Sequence, residues 1–361
     1  MEKKRYYSLD YLRGLMALAV MFYHFYSWQY TKLESTSVLA KLGVYAVSIF
    51  YILSGISLAI VYLKRTHFDA QSFIIKRIYR IFPLYIMAVI ITVLIKLVAS
   101  QISDFNFSFD FYSLIINLTL VFGFFSPGNY IPIGGWSIGN EVVFYCAFPF
   151  LALLIMRKKL LLFNSIVLLF FIIYCCFSFY FLNESLTDSQ LWNTYVNPLN
   201  QIFLFSAGLV IGYYISPIDI NKTIFRRSLI FISFMLLLLF SFYPISKVEE
   251  SLIIGFPRLI LTIIVISFVA VYFMCDIALT GILHKAFKWL GDCCYSIYLV
   301  HPLVYFPVSF VAGKLSLSGC MTLLTCLILT LFVSHYTYHF LESYFIKLSG
   351  QTKLSKKIYK G

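Results

Sequence analysis

The chain has 361 residues, 61% of them hydrophobic and only 12% charged, with a mean hydropathy of +0.88, which excludes a soluble globular domain and points to an integral membrane protein. A net charge of +13 does not mark a nucleic-acid binder here, because Lys and Arg cluster between apolar runs, as cytoplasmic loops of a membrane protein require. Cys146, Cys175, Cys176, Cys275, Cys293, Cys294, Cys320 and Cys326 lie mostly inside apolar runs without CxxC spacing; they read as small buried hydrophobes, giving neither a disulfide framework nor a zinc site.

Each apolar run is about 20 residues long, enough at ~1.5 Å per residue to cross a hydrocarbon core of ~30 Å. The first, about 9 to 30, follows the basic MEKKRYYSLDYLRG; it carries Arg13 and His24 and has no small-residue cleavage site before Trp28, so it is a retained helix and not a signal peptide. Further spans are expected at about 42 to 63, 81 to 100, 137 to 156, 160 to 182, 198 to 216, 228 to 246, 257 to 275, 289 to 310 and 319 to 345. Placing the Lys/Arg-rich connections inside (KRTHFDAQSFIIKRIYR, Arg157 to Lys159, NKTIFRR and the tail KLSKKIYK) gives an all-α bundle of ten transmembrane helices with both termini cytoplasmic. Residues 111 to 126, FYSLIINLTLVFGFFS, are apolar but short and lie between two outer loops, which predicts a re-entrant or interfacial segment. Residues 1–345 then form one membrane domain and 346–361 a short basic cytoplasmic tail, with no appended extracytoplasmic domain expected and no inverted repeat evident.

Ionisable residues inside these spans are the candidates for function, since each costs free energy unless it has a partner or a task. In LDYLRGLMALAVMFYH the eleven steps from Arg13 to His24 amount to ~1100°, about 20° past three full turns, so both share one helix face ~16 Å apart. The plainer alternatives are an interfacial Arg13 paired with Asp10 and a neutral His24 satisfied by a neighbouring helix. In KRIYRIFPLY, Lys76, Arg77 and Arg80 occupy neighbouring positions of a helical surface; they either set topology or hold a polyanion through bidentate guanidinium contacts. GGWSIGNEVVFY places Glu141 near the outer mouth of its span with Trp136, Asn140 and Tyr145 around it, and YSIYLVHPLV carries Tyr298 and His301. HYTYHFLES adds His335, His339 and Glu342; without a third ligand, polar packing is favoured over metal binding.

Taken together these motifs resemble the acyltransferase 3 family of bacterial membrane enzymes, which O-acetylate surface polysaccharides. LDYLRG with His24 is similar to the family's Arg-x10-His signature, KRIYRIFPLY to Arg-x-x-Arg-Ile-x-Pro, GGWSIGNEVVFY to Trp-Ser-x-x-x-Glu-x-x-Phe-Tyr, and YSIYLVHP to Ser-x-Tyr-Leu-x-His. The chain departs from the family's Glu-x-Pro close, since Glu342 is followed by Ser343 and Tyr344. The resemblance implies a bacterial inner-membrane enzyme that moves an acetyl group from cytoplasmic acetyl-CoA, with no metal, to a hydroxyl of a lipid-linked or envelope glycan such as O-antigen, lipopolysaccharide or exopolysaccharide. It implies cofactor-binding roles for Arg13, Arg77 and Arg80, and catalytic roles for His24, Glu141 and Glu342. Trp136, Asn140, Tyr145, Tyr298 and His301 are then supporting or substrate-contacting residues. Whether His24 is a general base or an acyl carrier stays open. The competing readings are a transporter or proton-coupled permease, and a flippase or polymerase for lipid-linked glycans; binding of acetyl-CoA separates the enzyme from both.

Overall fold

The computed structural model describes residues 5–63, 68–102, 108, 110–215, 223–247 and 249–351. Residues 1–4, 64–67, 216–222 and 352–361, on which part of the loop-charge argument and most of the expected tail rest, lie outside the described residues. Regular structure among the described residues is helical throughout. In chain order the helices are α1 (Tyr7–Gln29), α2 (Val38–Leu58), α3 (Ala70–Ile102), α4 (Phe111–Leu118), α5 (Phe122–Phe125), α6 (Gly135–Met156), α7 (Leu160–Cys176) and α8 (Asp188–Tyr195). They continue with α9 (Pro198–Tyr214), α10 (Thr223–Phe242), α11 (Gly255–Cys275), α12 (Gly281–Asp292), α13 (Cys294–Lys314), α14 (Gly319–Thr337) and α15 (Ser343–Gln351). π-helical turns at Ala59–Leu63, Phe177–Phe181 and Tyr338–Glu342 prolong α2 and α7 and join α14 to α15.

Among the described residues, eight helical stretches are long and apolar enough to cross a membrane: Val38–Leu63, Ala70–Ile102, Gly135–Met156, Leu160–Phe181, Phe225–Phe242, Gly255–Cys275, Cys294–Lys314 and Gly319–Gly350. The other two expected spans are also helices. α1 is uninterrupted through Asp10, Arg13 and His24, and α9 is 17 residues long. The span expected from 289 starts at Cys294 instead, because residues 289–292 close α12, a 12-residue amphipathic helix whose Lys285, Lys288 and Asp292 suit a surface position. Segment 111–126 is two short helices broken at Leu120, which takes a left-handed backbone (φ 58°). With 8 residues α4 is about 12 Å long, far less than a crossing needs.

Two compact units are present: Met1–Phe68 with Phe150–Cys294, and Asp69–Pro149 with Tyr295–Gly361. In the first, α2 packs on α9 at backbone contact, with Gly55 against Gly208 and Gly212 against Ile56 and Ala59. A Cβ on Gly208 would lie 2.1 Å from the Ile52 carbonyl oxygen, so only glycine permits this approach, the small-xxx-small logic of helix pairs in lipid. Lys41, buried, donates to the carbonyls of Ser241 (2.8 Å), Tyr243 (2.9 Å) and Phe240 (3.3 Å), placing its charge at the C-terminal end of α10, where the helix dipole favours it. Arg258, also buried, stacks on Tyr174 (4.2 Å) and donates to its hydroxyl (3.1 Å) and to Asn200 Oδ1 (2.6 Å). In the second unit, Gly123 of α5 meets Gly139 of α6 backbone to backbone. There the buried Asn117 amide accepts from the Tyr85 hydroxyl (2.9 Å) and the Ile131 N–H (2.8 Å) while donating to the carbonyls of Asn129 and Ser113, which fastens the loop before α6.

Candidate active site

In the first unit, α1 carries Arg13 and His24 eleven residues apart on one continuous helix, so the shared face deduced from spacing holds. The Arg13 guanidinium is engaged: Nη1 pairs with Asp10 (3.0 Å), and Nη2 donates to the Leu53 carbonyl (3.2 Å) and to the Ser57 hydroxyl of α2. Asp10 also accepts from Arg5, and Arg5 reaches on to Asp292 of α12, which takes Lys288 as well (2.6 Å). Arg13 therefore sits in an ion-pair network binding the start of α1 to α2 and α12. His24, near the other end, stacks flat on Trp28 with ring centroids 4.8 Å apart and planes 5° from parallel. The indole one turn on fixes the tilt of the imidazole.

The second unit assembles the remaining candidates. α3 begins at Ala70, so Lys76, Arg77 and Arg80 are on the helix and not in a loop before it. The Arg77 guanidinium lies over the rings of Phe73 (5.5 Å) and of Tyr145 on α6 (5.4 Å), and its Nε is buried without a hydrogen-bond partner. Tyr145 in turn donates its hydroxyl to Glu141 Oε1, one turn back on α6, giving an unbroken line from cation through phenol to carboxylate. Arg80 is exposed one turn beyond Arg77.

Glu342 closes the π-helical turn Tyr338–Glu342; its buried carboxylate accepts from the Ser296 hydroxyl of α13. On α13 the Tyr298 hydroxyl lies 2.8 Å from the Ser137 hydroxyl of α6, and both reach the Gly134 carbonyl oxygen, at 3.1 and 2.9 Å. Gly134 adopts φ +82°, and a Cβ there would meet the Tyr298 hydroxyl at 2.9 Å, so glycine is required for this clasp. His301 is fully buried, with Nδ1 3.1 Å from the Ile297 carbonyl oxygen. A carbonyl only accepts, so Nδ1 carries the proton and Nε2 is the basic nitrogen of the neutral ring. Trp136 and Asn140 are buried on the first turns of α6.

The structure thus joins Arg77, Tyr145 and Glu141 in one cluster, and Tyr298 to Gly134 in another, while Glu342 pairs with Ser296. Sequence reasoning did not single out Ser137, Ser296 or Ser57, although the first two stand inside the quoted motifs. Their signal was a hydroxyl within an apolar helix, where it needs a partner. Among the described residues no three His, Cys, Asp or Glu side chains converge as a metal site, and the rings of His335 and His339 meet edge to face with centroids 4.4 Å apart. The cysteines are free thiols; Cys275, Cys293, Cys294 and Cys326 are buried, whereas Cys146, Cys176 and Cys320 are exposed.

A family described as an acyltransferase domain matches residues 6–339. No curated protein and no solved structure matches the chain.

Proposed function

The chain belongs to the acyltransferase family, and from that membership we propose that it moves an acetyl group from cytoplasmic acetyl-CoA to a hydroxyl of a cell-surface or lipid-linked glycan at a bacterial inner membrane. One observation carries the reading: the family's match over residues 6–339 takes in every assigned residue except Glu342. Arg77 supports the donor side, because a buried Nε without a hydrogen-bond partner on a stacked guanidinium suits an anionic oxygen. Arg77 and Arg80 hold the CoA phosphates, with Arg13 as a further cation for the donor.

His24 performs the transfer. As general base, its neutral imidazole takes the proton of the attacking hydroxyl while the acceptor oxygen bonds to the acyl carbon; the carbon–sulfur bond then breaks and the CoA thiolate leaves with that proton. As acyl carrier, the same nitrogen bonds the acyl carbon while the carbon–sulfur bond breaks and the CoA thiolate leaves; the acceptor hydroxyl then attacks that carbon, the nitrogen–carbon bond breaks, and the hydroxyl proton passes to the thiolate. Glu141 and Glu342 are assigned to charge stabilisation in this transfer, and Trp136, Asn140, Tyr145, Tyr298 and His301 to shaping the site.

The test uses purified protein in lipid nanodiscs with radiolabelled acetyl-CoA and host envelope glycan. Wild type labels the glycan, and His24→Ala, inserted and accumulated to the same level, loses activity by ~10²-fold or more. Full activity of that variant removes His24 from the mechanism, and failure of wild type to bind acetyl-CoA removes the enzyme reading.

A further inference from the structure

Hydroxyls inside the apolar helices of this chain commonly satisfy themselves on the backbone. Thr92, Ser178, Ser206 and Thr325 each donate to the carbonyl four residues back, at 2.7 to 2.9 Å. Ser27, near the end of α1, does not: its Oγ is buried and has no hydrogen-bond partner among the described residues, although the Tyr23 carbonyl stands one turn back. Ser8, Thr330 and Ser334 share that state. Of these four, Ser27 alone falls within one turn of a residue assigned to the transfer step, since it follows His24 by three positions. A buried hydroxyl left unmatched costs free energy, and its place beside His24 points to a use in the reaction.

Helix geometry sets where that hydroxyl acts. Three residues rotate Ser27 by about 60° from His24 and raise it ~4.5 Å along the axis, while Trp28 sits about 40° to the other side. The indole stacks flat on the imidazole with centroids 4.8 Å apart, so one side of the ring is covered. Ser27 borders the other side, and a helical side chain leans over the turn before its own Cα, here the turn that carries His24. As a nucleophile bonds to an acyl carbon at His24, the carbonyl π pair moves onto oxygen; it returns when the carbon–sulfur bond breaks and the thiolate leaves. An oxyanion formed in apolar surroundings is stabilised most by a donor already in place and shielded from water.

We propose that Ser27 is a further catalytic residue, whose hydroxyl donates a hydrogen bond to the acyl oxygen held at His24 and stabilises the negative charge that develops there. Its proton is shared and not transferred, so the role is the same whether His24 is general base or acyl carrier. This rests on the His24 assignment above.

The experiment compares wild type, Ser27→Ala, Ser27→Thr and His24→Ala in lipid nanodiscs. Transfer from radiolabelled acetyl-CoA to envelope glycan gives kcat and KM, and infrared spectra of bound acetyl-CoA, isotope-labelled at the carbonyl, read the thioester stretch without turnover. Ser27→Ala lowers kcat about 10²-fold with both KM values within about twofold, and Ser27→Thr, which keeps a hydroxyl, recovers most of that loss. The Tm of Ser27→Ala stays level or rises, because the deleted hydroxyl has no partner to lose. The carbonyl stretch, lowered on binding to wild type, returns toward its free value in Ser27→Ala. A Ser27→Ala kcat within about threefold of wild type beside an inactive His24→Ala overturns the proposal, as does a stretch unchanged between wild type and Ser27→Ala. A fall in kcat matched by a fall in Tm, without recovery in Ser27→Thr, overturns it in favour of packing. Full activity of His24→Ala refutes the assignment on which the proposal rests, while the carbonyl stretch still decides the hydrogen bond.

Discussion

Replacing Arg77 with lysine keeps the positive charge and removes the planar fork, and so separates topology from recognition. The guanidinium now lies 5.5 Å from the Phe73 ring and 5.4 Å from the Tyr145 ring. Losing the planar stack on two rings costs about 1 kcal/mol of stability, since each such contact contributes ~0.5–2 kcal/mol and an ammonium retains part of it. If Arg77 also grips a donor phosphate, loss of a charge-assisted contact removes a further ~1.5–3 kcal/mol of binding, or about 10- to 150-fold in affinity. Equilibrium binding of acetyl-CoA to the purified variant, beside its thermal unfolding, reads both quantities at once. Tyr145→Phe serves as a control that keeps the ring under Arg77 while deleting the hydroxyl that reaches Glu141. A lowered Tm with donor affinity unchanged within about twofold, small against the tenfold that ~1.4 kcal/mol brings, would refute the donor assignment and leave Arg77 as the residue that clamps α3 on α6.

The packing and the carboxylates give further expected outcomes. Gly208→Leu forces side-chain atoms into the Ile52 carbonyl, where a Cβ alone would approach to 2.1 Å, and should destabilise the first unit by ~1–3 kcal/mol or more; Gly313→Ala, with nothing within 4 Å, should leave Tm unchanged. Lys41→Met strips the α10 carbonyls of their donor and should cost about 3 kcal/mol, read as a lower melting point in detergent. Ser296→Ala and Glu342→Gln, singly and together, should show a coupling of ~0.5–3 kcal/mol in unfolding free energy; strict additivity would show that their hydrogen bond contributes nothing. Asp110 caps α4, and the Ser113 hydroxyl bonded to it holds its carboxyl below the usual carboxylate range. Its folded pKa lies beneath the unfolded one, so its stabilisation is complete above the unfolded pKa and fades as pH falls through the folded value. Amide exchange in 111–118, corrected for intrinsic rates, should therefore rise below about pH 4 in wild type and lose that dependence in Asp110→Asn.

Much of this architecture was legible because lipid forces long apolar helices with few charges. The expected span 9 to 30 is α1 at Tyr7–Gln29, and 137 to 156 is α6 at Gly135–Met156, since continuous hydropathy marks both ends. One local pair was legible too: Asp10 with Arg13 comes from i,i+3 spacing alone, whereas Tyr145, at i,i+4 from Glu141, was read only as its neighbour and not as its hydrogen-bond partner. The hidden features are tertiary or need an unusual backbone. No periodicity announces that Leu120 turns left-handed and splits 111–126, or that α12 breaks from α13 at Cys293. Arg77 meets Tyr145, and Arg13 meets Ser57, only once different helices pack, a register that hydropathy does not encode. Arg258 passed as a residue at a span's edge, yet it is buried and stacked on Tyr174, and a lone arginine starting an apolar run was the available sign.

The wide turn at Tyr338–Glu342 has an evolutionary side. A π-helical turn holds one residue more than an α-helical turn of the same rise, as though a single codon had been inserted into the last long helix and kept. Deleting one residue there would restore uniform winding and rotate α14 against α15 by about 100°. Glu342 would then swing off Ser296, and α15 would present a different side to its neighbours. Apart from Glu342 itself, this stretch should therefore tolerate substitution far better than a change of length.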